Sequence, residues 1–85
     1  MTTTLTRDQI IERLCQLAAV QAAVNVAEVS ADTDFFADLN FDSLDIIEYV
    51  MTLEDEFQVN IPDEKAQNVK TVAQAADVLI SMMAD

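Results

Sequence analysis

No glycine occurs anywhere in these 85 residues. Wherever the chain turns through positive φ, another residue must supply the left-handed conformation, and Asn and Asp tolerate it best because their short polar side chains bond locally. Asn25 and Asn40 are the expected sites. A chain with this restriction favours elements that need few such turns, and the hydrophobic periodicity is helical almost throughout.

From about Arg7 to Ala22, Ile10, Ile11, Leu14, Leu17 and Ala18 recur at helical spacing behind a possible capping pair, Thr6 and Gln9. Asn25 to Phe35 mixes Val26 and Val29 with Ser30, Asp32, Thr33 and Asp34 and reads as a long, partly anchored loop. A second helix is expected from Ser43 to about Phe57, with Asp42 as its N-cap and Asp45 in the first turn. Gln58-Val59-Asn60-Ile61 alternates like a strand but has nothing to pair with, so it is expected to be an extended linker that plugs the core with Val59 and Ile61. Pro62-Asp63-Glu64 opens a short helix. Thr71 and Gln74 cap a last one, whose apolar stripe is Val72, Ala75, Ala76, Leu79, Ile80 and Met83. The expected fold is all-α: a small four-helix bundle with three main helices, a short third helix and a long first loop. Residues 1–85 make one domain, with 1–5 a flexible tail.

Sixteen acidic residues against four basic ones give a net charge of −12, and no Lys or Arg falls between Arg13 and Lys65. Such a surface repels phosphate backbones and anionic lipid, which argues against nucleic-acid and membrane partners. It either attracts partners with basic patches or simply keeps the chain dissolved. Without a basic, apolar leader or a span of roughly 20 apolar residues, the expected location is the cytoplasm. The single cysteine, Cys15, fits a reducing compartment and reads as a small apolar helix residue.

The second helix has two faces. Ile46, Tyr49, Val50, Leu53 and Phe57 fall on one side, the core face. Leu44, Ile47, Glu48, Met51, Glu54 and Asp55 fall on the other, where three apolar residues mix with three acids. That mixture suits docking, with apolar anchors and steering carboxylates, unless another segment covers it; the long loop could reach Leu44.

Ser43 stands at the mouth of this helix. Ser catalysis needs a base within reach, and the chain contains no His. Enzyme function is not expected. Asp38, Asn40 and Asp42 alternate like calcium-loop ligands, but the sixth position is Ser43 and the twelfth is Tyr49 where Gly and Glu belong. No metal site is expected.

Asp38-Leu39-Asn40-Phe41-Asp42-Ser43-Leu44-Asp45 resembles the Asp-Leu-Gly-x-Asp-Ser-Leu-Asp signature of acyl carrier proteins. Glu48, Met51, Leu53-Glu54-Asp55-Glu56-Phe57 and Ile61-Pro62-Asp63-Glu64 continue it, as do Val29 and Phe35 upstream and Thr71-Val72 downstream. The resemblance, to the discrete fatty-acid-synthase type, implies that Ser43 takes a 4′-phosphopantetheine arm from coenzyme A through a phosphopantetheinyl transferase, with Asp42 as the acid ahead of it. It implies that acyl chains ride on the arm as thioesters, and that a monomeric carrier delivers them to synthesis and transfer enzymes with basic docking patches. Leu44, Ile47, Glu48, Met51, Glu54 and Asp55 match the family's docking surface. Phe35, Leu39, Phe41, Tyr49, Leu53, Ile61, Ala66, Val69 and Val72 would border an acyl pocket, or serve as plain core. Asn40 replaces the signature's Gly, Tyr49 and Phe41 are bulkier than the family's usual residues, and Asn60, Lys65 and Gln67 stand where acids are frequent. A polyketide or other specialised carrier, or an unmodified acidic adaptor, are the competing readings.

Overall fold

A computed structural model describes residues 5–83. Residues 1–4 of the expected tail lie outside the described residues, and Leu5 is exposed and non-helical. Among the described residues the chain forms α1 (Arg7–Ala22), a 3₁₀ turn (Val26–Glu28), α2 (Ser43–Phe57), α3 (Asp63–Gln67) and α4 (Val72–Met83). The one β feature among them is an isolated bridge between Asp34 and Thr71. None of the helices is long and apolar enough to cross a membrane.

The helix starts obey local chemistry. Thr6 and Gln9 form a reciprocal capping box on α1, Asp42 and Asp45 one on α2. At α4 the Gln74 N–H donates to Thr71 Oγ1 at 3.2 Å, and Gln74 Oε1 accepts from the Thr71 N–H at 3.2 Å. The remaining free N–H groups of α4 are taken up by the long loop: Val72 donates to the Thr33 carbonyl and Ala73 to that of Ala31. Phe35 in turn donates to the Lys70 carbonyl at 2.8 Å. The loop is thereby stitched to the start of α4.

Positive φ falls at Ala23, Asn40 and Gln58. Asn40 was expected; Asn25 was not confirmed, because it has φ −73° and caps the 3₁₀ turn through its side chain, which accepts from the Ala27 N–H. Ala23 and Gln58 close α1 and α2. Val24 and Val59 donate back to Ala19 and Glu54 carbonyls, so these ends close in the way glycine usually permits. A non-glycine residue held there costs about 1 kcal/mol, which the closing hydrogen bonds and packing of Val24 and Val59 offset.

The core comes from one face of each long helix: Ile10, Leu14 and Ala18 of α1, Tyr49 and Leu53 of α2, and Val72, Ala76 and Leu79 of α4. Phe35, Phe41, Ile61 and Val69 fill it from the connections. Val59 is only half-buried, and Met83, expected in the α4 stripe, is exposed, while Ile80 and Met82 of the same turn pack against the core.

Candidate functional site

Ser43 is the first residue of α2 and is exposed. The turn before it is held from both sides. The Phe41 N–H donates to the Phe35 carbonyl at 2.9 Å, and Asn40 adopts φ 58° between them. Asp34 Oδ1 accepts from Phe36 and Ala37 N–H groups, while Asp38 Oδ2 accepts from the Asp34 N–H. Asp42 Oδ1 accepts from the Asp45 N–H at 2.9 Å, and Asp45 Oδ2 from that of Asp42 at 3.1 Å. Two of the residues alternating like calcium ligands, Asp38 and Asp42, thus spend their carboxylates on backbone N–H groups. No group of three or more candidate metal-binding side chains forms among the described residues.

From Ser43 the outer face of α2 runs as a stripe. Leu44, Ile47 and Met51 are 63, 54 and 60% exposed, so neither the loop nor any other described segment covers them. Asp42, Glu48 and Asp55 are also exposed. Two acids on this helix have structural partners. Glu48 accepts from Gln21 Nε2 at 3.0 Å, and half-buried Glu54 accepts from the Ile61 N–H at 2.8 Å. Glu54 therefore ties the α2–α3 linker to α2, a role its place in the stripe did not reveal.

The arginines do not neutralise this face. Arg7 pairs with Asp77 of α4 at 3.1 Å, and Arg13 makes a two-pronged contact with Glu56, Nη2 to Oε1 at 2.9 Å. Arg13's hydrogen bond holds the Glu56 carboxyl below the usual glutamate range. Lys65 lies in α3 and Lys70 in the segment before α4.

Between α2 and α3 lies a groove of about 540 Å³, lined along α2 from Ser43 to Glu54 and on the α3 side by Asp63 and Gln67. Phe36, Ile47 and Met51 form its outer lip, and Ile46, Val50, Ile61 and Ala66 its floor. Sequence reasoning missed Phe36, Ile46, Val50, Asp63 and Gln67 as groove residues. Phe36 carried the one available signal, a large apolar side chain beside an already buried Phe35 in a polar loop.

Behind that floor lies little open space. A void of about 10 Å³ is walled by Tyr49, Leu53, Ile61, Ala66 and Val69 among others. It is barely enough for one water. Of the residues expected to border an acyl pocket, Phe35, Leu39, Phe41 and Val72 do not line it. Phe35, Phe41 and Tyr49 pack on one another instead, with ring centroids 4.9–6.0 Å apart. Tyr49 crosses from α2 to α1, where its hydroxyl donates to the Leu14 carbonyl at 2.8 Å. Burial, and secondarily the nearby Cys15 thiol, push that hydroxyl far above the usual phenol range, so it stays protonated and donating. Burial likewise raises the Cys15 thiol, with Glu12 adding to it, and leaves it unreactive.

A family model described as phosphopantetheine attachment site matches residues 12–79, from the middle of α1 to the last turns of α4.

Proposed function

Because the chain belongs to the phosphopantetheine attachment-site family, whose working group is a covalently attached 4′-phosphopantetheine, we propose that Ser43 is the attachment residue and that the cargo is an acyl chain of fatty-acid synthesis. The observation carrying this reading is the position of Ser43: an exposed hydroxyl at the start of α2, inside the matched span and on the lining of an open groove.

The residues present fit the group. A phosphodiester on Ser43 Oγ would meet the first N–H groups of α2 and the positive end of its dipole, which favour negative charge. The carboxylates of Asp42 and Asp45 oppose it, but each is engaged by the capping box. When bound, the arm supplies a thiol that carries acyl groups as thioesters. Ser43 supplies only the hydroxyl, and the carboxylates beside it, Asp42 and Asp45, are held by the capping box; the chemistry on the cargo belongs to visiting enzymes. Leu44, Ile47 and Met51 give those enzymes and the transferase an apolar contact, and Glu48 and Asp55 give them a charge to approach.

Intact mass after incubation with coenzyme A and a phosphopantetheinyl transferase should rise by one arm, and Ser43→Ala should abolish the gain. No gain for the wild type with several transferases sinks the assignment. One observation favours a second reading, a carrier of a specialised acyl pathway: the void behind the groove floor, about 10 Å³, has no room for a long chain. Mass spectrometry of the thioester on protein purified from its host separates the two.

A further inference from the structure

The groove and the interior void share a partition. Ile46, Val50, Ile61 and Ala66 line both, the groove from outside and the void from inside. A chain lying in the groove could enter the core only by parting Ile46 and Val50 of α2 from Ile61 and Ala66 on the α3 side. The α3 side is the weaker wall: a helix of five residues, with no side-chain cap at Pro62. Parting it leads to Leu53 and Tyr49, which form the back of the void.

Tyr49 is not part of the movable wall. It is 1% exposed, and its ring lies against Phe35 at 4.9 Å and Phe41 at 6.0 Å. Its hydroxyl is fastened to Leu14 of α1, a helix that contributes no residue to the groove. Shifting α3 outward widens the groove but leaves the ring where it is. Moving the ring would strip a buried hydroxyl of its acceptor and break the aromatic cluster that also positions the turn before Ser43. A close-packed interior of this kind does not yield smoothly to an inserted chain.

We propose that Tyr49 is a depth stop, a specificity-determining residue that keeps acyl chains of medium length out of the core. An octanoyl thioester on this carrier lies in the outer groove over Ile47 and Met51 and reaches no deeper than Val50 and Ile61. The inference rests on the carrier reading above and adds the class of cargo: short acyl groups, or longer ones handed on without being sheltered.

The test loads the full chain from octanoyl-coenzyme A with a phosphopantetheinyl transferase, and in parallel from coenzyme A itself. Methyl NMR and thermal melts then compare the two forms. Intact mass reports loading separately: no gain removes the carrier reading and this proposal together. With loading confirmed, Ile47 and Met51 methyl signals should move between the two forms while those of Leu53 and of Val78, which also lines the void, stay in place. The melting temperatures should agree within about 2 °C. In Tyr49→Leu the octanoyl chain should shift Leu53 and Val78 and raise the melting temperature by about 5 °C over the arm-only form, as it fills the space the ring vacates. Movement of Leu53 and Val78 in the wild type overturns the proposal, as does a Tyr49→Leu carrier that folds and still excludes the chain. Tyr49→Phe keeps the ring and should behave as wild type toward octanoyl. If Tyr49→Leu does not fold, the wild-type shifts decide alone.

Discussion

α1 and α2 are near twins in length, 16 and 15 residues, and each begins in a capping box and ends in a left-handed residue. Each buries one face against the same core. Their outer faces differ. α1 uses its outer charges to hold the bundle, sending Arg7 to α4 and Arg13 to Glu56 of α2. α2 leaves Leu44, Ile47 and Met51 open to water beside carboxylates. Apolar area left in water gains nothing for the fold, and this aligned stripe is the surface that the proposed carrier would offer a partner. Stability is concentrated on the α1 side and availability on the α2 side.

The largest test of that contrast pairs an inner residue with an outer one. Leu14→Ala removes a fully buried side chain and should cost about 2–5 kcal/mol in denaturant unfolding. Met51→Ala should leave stability within about 0.5 kcal/mol yet slow modification by a transferase roughly tenfold. A Met51→Ala protein that unfolds early but is modified at the normal rate would reverse the division of labour.

Glu54 sits on the border between the two regions and should show it. Glu54→Ala leaves the Ile61 N–H without its acceptor and should cost about 1–2 kcal/mol. Glu54→Gln keeps an oxygen for that N–H while removing the charge, so it should recover most of the stability while modification slows, more at low salt than at high. Equal losses of stability in the two variants would mean that charge, not the linker hydrogen bond, is what the fold uses.

Smallest is the Arg13–Glu56 pair on the α1 side. Arg13 lowers the Glu56 carboxyl in the folded state, so the pair's contribution is present above the unfolded glutamate value and disappears as pH falls through the lower folded one. Both side chains are substantially exposed, 43 and 31%, so solvent screening keeps the contribution to about 0.5 kcal/mol or less. Thermal melts of Glu56→Gln should lie slightly below wild type at neutral pH and merge with it in acid. A gap that widens in acid contradicts this.

What the sequence made readable was local. Thr6 with Gln9, Asp42 with Asp45 and Thr71 with Gln74 are each three residues apart, and their caps follow from side-chain chemistry alone. The two faces of α2 follow from helical period, and the start of α2 at Ser43 from Asp42 as its N-cap. Long-range decisions were not readable. Asn25 lost the left-handed position to Ala23, because Val24 closes α1 on Ala19 before the chain reaches it. Glu54 looked like one more steering acid until the linker folded back and presented the Ile61 N–H. The Tyr49–Leu14 hydrogen bond joins residues 35 positions apart, and no periodicity foretells it.

One consequence follows from the five residues of α3. A helix of that length lies far below what persists unaided in water, so it exists by virtue of Ile61, Ala66 and Val69 resting on the bundle and of Glu54 holding the linker. One bank of the groove is therefore a region of low opening free energy, and its amides should be among the first to exchange with solvent. The width offered to a cargo is then a distribution set by how often that bank lifts, while the depth is set by Tyr49. Capacity in one direction is statistical, and in the other it is structural.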